Sequence, residues 1–323
     1  MAENKKILRI AKGELRDNAV WFMRQAGRYL PDYEKLKGGR TFIQVLSDPQ
    51  SIFDISLLPL KYMEVDAVVV FTDILLPLTK MGYRVSYENG ISVTGSKEEG
   101  TDLYEPLSLA LGRISESFSG KTLIGVVGGP FTTLSYVYDR GEVGYPRTKE
   151  AIASGNVGIL RELTERIIEF AQLQAKSGAD VIQIFESWLG SVPGGFYNRH
   201  LEENEVYFVE KVKEIGKPVI FFSEGTSHLE EKIVQLGADV YSVDWRTDLD
   251  KFHNICPDCV LQGNLDPYIL GAGEKYLTGE VARIMKSGKK FRGHIFNLGH
   301  GVPPWADWRK LEYVSREVRN FER

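Results

Sequence analysis

Polar and ionisable side chains recur in this sequence directly after short apolar runs. The first pair is Arg24 and Arg28, in WFMRQAGRYLP at residues 21–31. Asp73 follows the next run, in FTDIL. Further along come Gly129, Thr132 and Tyr136 in GGPFTTLSY, then Glu186 and Ser187 in IFES. Ser223, Glu224, Asp244, Asn264, Asp266 and His300 close the later runs. Two guanidinium groups four residues apart either decorate a solvated loop or receive something anionic, because each can fork onto a carboxylate with paired hydrogen bonds. With carboxylate, phenol, hydroxyl and imidazole groups added, the set suits binding carboxylates and moving protons without a cofactor.

Other chemistries lack their signatures. Gly-Gly-Pro at 128–130 is not a phosphate loop, since no GxxxxGKT follows. No GxSxG elbow is present, and no GxGxxG fingerprint. The five histidines are scattered, with none in HxH or HExxH spacing. No lysine ends an apolar run, which speaks against a Schiff base. Cys256 and Cys259 form one CxxC, whereas a structural zinc site needs four ligands. We read them as a turn cysteine followed by a buried one opening a strand. No metal or cofactor is expected.

The elements that must position these groups follow from the runs. They are 19–23, 67–71, 123–127, 181–185, 219–223, 240–245, 259–265 and 294–300. Most are apolar on both faces, as buried parallel strands are. Helical segments lie between them. Asp48-Pro49 opens one, with Asp as cap and Pro in the first turn. Others end on Gly178 and Gly237. The stretches at 65–73, 178–187 and 237–245 share one layout, a turn through Asp into an apolar strand that ends in a polar group. Eight strands alternating with helices predict an α/β fold, a single (β/α)8 TIM barrel spanning 1–323. A doubly wound sheet is the competitor, and it usually has fewer strands. Asn89-Gly90, between alternating runs at 83–95, predicts a β-hairpin insertion after the second strand. In such a barrel the site lies at the C-terminal ends of the strands, where the polar groups collect.

The chain has 323 residues, 43% hydrophobic and 26% charged, with a net charge of −4. That balance argues against a general nucleic-acid or membrane-surface binder, so any anion binding is local. The first 18 residues carry charges throughout and no apolar core of a secretory signal. No apolar stretch approaches the roughly 20 residues of a membrane span. Two cysteines cannot make a disulfide framework, and the cytoplasm is the expected compartment.

VWFMRQAGRYLPDY resembles the N-terminal signature of the uroporphyrinogen decarboxylase family. FTDIL, GGPFTTLSY, IFES, VDW, LQGNLDP and NLGHG resemble that family's later motifs in the same order. The resemblance covers nearly the whole chain. It implies a homodimeric, cofactor-free (β/α)8 carboxy-lyase of porphyrin and haem biosynthesis. The implied reaction removes four acetate carboxyls from uroporphyrinogen III to give coproporphyrinogen III. Arg24 and Arg28 are thereby assigned to substrate carboxylates, with one of them a candidate proton donor. Asp73 matches the central aspartate that accepts hydrogen bonds from the pyrrole N–H groups. Tyr136, Ser187 and His300 match residues that hydrogen-bond substrate carboxylates, and the acidic surroundings would favour a cationic His300. Phe185 is assigned to the apolar wall, and Gly129 to close approach of backbone and ligand. Glu186, Glu224, Asp244 and Asp266 are read as supporting or capping residues. The other four histidines are read as surface, loop or packing residues.

Alternatives remain open on the residues alone. Asp73 could simply cap the next helix, and Tyr136, Ser187 or His300 could serve the core. Phe131 stands where the family usually has Trp, and ESWLGSVPG is looser than the usual small-residue stretch. Lys35, Lys37 and Arg40 either raise the positive potential over the mouth or form a solvated face. Two other functions compete. Zinc-dependent, cobalamin-linked methyltransferases share this barrel, but their HxC pair is missing from FFSEGTSH. A porphyrinogen-binding protein without catalysis is the second.

Overall fold

The computed structural model describes residues 5–88, 90–95, 102–140, 142–155 and 157–322. Ten strands run in chain order: β1 (Ala19–Val20), β2 (Ala67–Val69), β3 (Tyr83–Ser86), β4 (Ser92–Gly95) and β5 (Thr122–Gly128), then β6 (Val181–Glu186), β7 (Val219–Ser223), β8 (Val240–Ser242), β9 (Val260–Gln262) and β10 (Gly293–Phe296). Eight of them form one sheet in the order β1-β10-β9-β8-β7-β6-β5-β2, every neighbour parallel. The seam between β1 and β2 is bridged by Asp66. Its N–H donates to the Val20 carbonyl at 2.8 Å, and its carboxylate accepts from the Val20 N–H at 2.9 Å. The result is the nearly closed (β/α)8 barrel expected from the runs.

The helices show why the periodicity was readable. The helix Val157–Lys176 buries Leu160, Leu163, Ile167, Phe170 and Ala171 on one stripe. Asp48 caps the helix Pro49–Leu57 by accepting from the Gln50 N–H at 3.1 Å. Gly178 turns out of its helix at φ +117°, where a Cβ would also press on Ser115. The predicted hairpin is β3 with β4, antiparallel from Tyr83 opposite Gly95 to Ser86 opposite Ser92. Gly90 lies in its turn, and Asn89 falls outside the described residues.

Several strands are shorter than their apolar runs. The run at 19–23 leaves the sheet after Val20. Trp21 N–H still reaches the Phe296 carbonyl at 3.3 Å, but Met23 N–H bonds the Asn297 side chain at 3.0 Å. The polar groups therefore sit on turns beyond the strands. Inside the barrel, Trp21 Nε1 donates to Gln262 Oε1 at 2.8 Å. Gln262 Nε2 in turn donates to Gln183 Oε1 at 3.1 Å and Ser242 Oγ at 2.9 Å. Gln262 and Gln183 belong to strands that are not neighbours, so this network spans the interior. Cys256 and Cys259 are free thiols at the turn into β9, with Cys259 buried and its Sγ 3.0 Å from the Cys256 carbonyl.

Candidate active site

A cleft opens at the C-terminal ends of the strands, enclosing about 1070 Å³ including its open mouth. Arg24, Asp73, Tyr136, Phe185, Ser187 and His300 all line it. Those positions are spread over 277 residues of sequence, and the barrel brings them to one wall. Phe71, Phe222, Trp21 and Met23 are among its apolar lining, together with Ile91 from the hairpin.

The arginine loop is held from beneath by Gln25. Its side chain is buried, donates to the Ala67 carbonyl on β2 at 3.0 Å, and accepts from the Phe22 N–H at 3.3 Å. Arg24 stands above this anchor with φ +58°, a conformation that costs a non-glycine residue on the order of 1 kcal/mol or more. Its stem crosses Gly301, where a Cβ would collide with Arg24 Cγ and Cδ. The Arg24 guanidinium makes no ion pair among the described residues. It is an exposed cation at the mouth, next to an apolar wall.

Asp73 is half-buried at the opposite side of this lining. One oxygen accepts from the Leu75 N–H at 2.6 Å. Desolvation raises its carboxyl above the ordinary range, opposed by that amide, by the Tyr87 hydroxyl and by the charge of Arg24. The capping reading is thus true in part: Asp73 does hold the turn before the short helix Leu76–Thr79. Its remaining acceptor sites face the cleft and the Tyr87 hydroxyl.

Glu186, at the end of β6, is placed otherwise. It is fully buried and accepts from Phe131 N–H at 3.2 Å, Thr132 N–H at 2.7 Å and the Thr132 hydroxyl at 2.5 Å. Thr132 Oγ1 also accepts from the Trp188 N–H at 3.1 Å. These bonds tie the helix Pro130–Tyr138, which carries Tyr136, to the turn that carries Ser187. Burial still pushes the Glu186 carboxyl up to about 7. Burial likewise pushes Tyr136 up to about 12. Its ring packs on Trp188 at 4.4 Å, and Trp188 stacks on Tyr145 at 4.5 Å.

His300 lies between Phe222 and Trp245, each 6.3 Å away edge-on, with Nε2 3.5 Å from Glu224. Here the expectation of a cationic imidazole is corrected. Desolvation and the nearby Arg24 charge lower its pKa more than Glu224 raises it. Glu224 is itself paired with Arg246 at 3.1 Å. Asp244 accepts from Gly225 N–H at 2.7 Å and from Arg246, and Asp266 caps the turn at Tyr268. Both are capping residues, as read.

Two assigned residues stand outside the lining. Arg28 is exposed on the same loop, near Tyr33, whose ring packs on Phe71 at 6.1 Å. The space beside Gly129 belongs to Glu186, not to a ligand: a Cβ there would run into the Glu186 carboxylate. Phe131 is fully buried against Tyr145 and forms no part of the cleft wall. Arg40 is occupied by the Leu36 and Lys37 carbonyls and by Asp48, so it adds little free charge at the mouth. Gln25, Phe71, Phe222, Ile91 and Tyr87 were not singled out from sequence. Phe71, Phe185 and Phe222 share a signal, each standing near the end of its apolar run. Gln25 and Tyr87 carried none.

Comparison with known proteins identifies the family. A family model described as uroporphyrinogen decarboxylase (URO-D) matches residues 2–321. The chain is 35% identical to a uroporphyrinogen decarboxylase of Thermus thermophilus over 98% of both proteins. It is 34% identical to that of Picrophilus torridus over 94% of both, and 32% identical to that of Aquifex aeolicus over 99% of both. Among solved structures, a methyltransferase from Methanosarcina mazei superposes with a TM-score of 0.78 at 17% identity, covering 97% of this chain and 96% of that one. That likeness is one of fold. By the family match and these relatives, the chain belongs to the uroporphyrinogen decarboxylase family.

Proposed function

We infer that the cleft is where this chain, a uroporphyrinogen decarboxylase, removes acetate carboxyls from uroporphyrinogen III to give coproporphyrinogen III. One observation carries the reading. A half-buried carboxyl with spare acceptor capacity, Asp73, and an unpaired guanidinium, Arg24, share one apolar, aromatic cleft. A porphyrinogen combines an apolar macrocycle, inward N–H donors and a rim of carboxylates. The cleft offers a partner to each.

In this reading Asp73 accepts from the pyrrole N–H groups. Protonating the ring carbon next to the one that bears an acetate makes an iminium-like cation. The carbon–carboxyl bond then breaks, its electron pair neutralises the cation, and CO₂ leaves. A proton then adds to the exocyclic methylene that remains, and the protonated ring carbon gives its proton back, leaving a methyl group on an intact pyrrole. Asp73 stabilises the cation electrostatically, a preorganised charge in a largely dry site. Arg24 receives a substrate carboxylate, and Arg28 reaches those farther out on the rim. Tyr136, Ser187 and His300 offer hydrogen bonds, and Phe185 supports the ring. The substrate is its own electron sink, so the reading needs no cofactor. The homodimeric state, the cytoplasmic location and the place in haem biosynthesis implied by the resemblance belong to the same proposal.

The test is an anaerobic incubation of chelator-treated protein with uroporphyrinogen III, followed by oxidation and carboxyl counting by mass. Successive loss of up to four CO₂ is the expected outcome. Substrate that binds and keeps every carboxyl would replace this reading with that of a carrier. The methyltransferase reading is not favoured, because the turn after β7 reads Ser223-Glu224-Gly225 and offers no thiol or imidazole pair.

A further inference from the structure

The hairpin brings an unassigned hydroxyl to the reacting carboxyl. Tyr87 directly follows β3, and its ring packs on Phe42 at 4.6 Å. Phe42 packs on Phe71 at 5.5 Å, and Phe71 lines the cleft two residues before Asp73. Ile91, across the same hairpin turn, lines the cleft as well. The Tyr87 hydroxyl is buried and, among the described residues, makes no hydrogen bond of good geometry. A buried phenol without a partner is costly, and such a group usually marks a constraint imposed by something else.

We propose that Tyr87 is a positioning residue for Asp73, its hydroxyl donating to the Asp73 carboxylate when that group carries its charge in the reaction. This rests on the reading of Asp73 given above. The groups facing Asp73 are few. Arg24 comes from the β1 loop, Tyr136 from the helix after β5, and Tyr87 from the hairpin. Arg24 is exposed and is assigned to substrate, and Tyr136 lines the cleft from another wall. Tyr87 is absent from the cleft lining. Interaction with Asp73 raises the Tyr87 phenol and lowers the Asp73 acid, the signature of a donor to an anion. The hairpin thereby does more than cover the site: its seating on Phe42 sets where a proton can rest on Asp73.

Tyr87→Phe removes one oxygen and keeps the ring contact with Phe42. The melting temperature should hold, and turnover on the pH plateau should stay within about threefold of wild type. The acid limb of kcat should move to higher pH by about one unit, because a lost donor to the carboxylate raises its pKa. Superimposable pH profiles would overturn the proposal. Direct titration of Asp73 in ligand-free protein, by infrared difference against Asp73→Asn, gives a second readout. An upward shift in Tyr87→Phe supports the contact, and an unmoved value refutes it. That titration needs no turnover, so it decides the Tyr87 contact even if Asp73→Asn kept its activity and sank the reading of the site.

Discussion

Asp73 and Glu186 are carboxylic acids at the ends of two strands of one barrel, and their surroundings differ in kind. Glu186 is fully buried and accepts from two backbone amides and a hydroxyl. The protein uses up its lone pairs. Asp73 accepts from one amide, has the Tyr87 hydroxyl beside it and otherwise faces the cleft. A strand-end carboxylate is therefore no guide to chemistry by its type alone. What marks a reacting group is acceptor capacity that the fold leaves unfilled next to space for a ligand. The interior network of Trp21, Gln183, Ser242 and Gln262 makes the same point, since its polar atoms spend themselves on one another.

Three variants probe this contrast. The largest effect belongs to Asp73→Asn, which keeps the shape and removes the charge. It should lower kcat by about 10²–10³-fold, the scale of losing one preorganised charge, with little change in melting temperature. Near-normal turnover would erase the difference between the two carboxyls. Glu186→Gln should do the reverse. A Gln amide group cannot accept from all three donors, so chemical denaturation should show a loss of about 1–3 kcal/mol. Turnover of the folded fraction should stay within about tenfold of wild type. A stable protein with lost turnover would make Glu186 the reacting group instead.

The smallest effect concerns Glu205, on the helix Glu202–Lys213. It is fully buried, and neither oxygen has a hydrogen-bond partner among the described residues. Desolvation, then repulsion by Glu186, hold its pKa well above the usual 4.5. The folded state thus keeps a proton that the unfolded state sheds above about pH 4.5, and stability falls as pH rises through that window. Glu205→Gln cannot titrate. Its stability advantage over wild type should grow with pH, by up to about 1.4 kcal/mol per unit. Denaturation curves at several pH values check this, and a constant difference would show that Glu205 is ionised in the fold.

Part of this was legible in the chain. Apolar runs bounded by turn residues gave away eight strands, because a strand buried on both faces has no use for polar side chains. Asp48-Pro49 and Gly178 marked helix ends through local geometry. Arg24, Asp73, Tyr136, Phe185, Ser187 and His300 could be named because each closes or follows such a run and matches a motif of the family. The misplacements have a common cause. Arg28 and Arg24 lie on one loop, yet only Arg24 is turned across Gly301 into the cleft lining. Gly129 faces Glu186 across a gap of 57 residues in sequence.

Sequence by itself determined the barrel, the family and the ring of polar groups at its mouth, since periodicity and turn chemistry act over a few residues. Tertiary structure alone decided which of those groups remain free. It spent Glu186 on a helix terminus, lowered rather than raised the pKa of His300, and swung Tyr87 beside Asp73. Hydrogen-bond capacity and charge depend on what stands within a few ångströms, and in a closed barrel those neighbours come from distant strands.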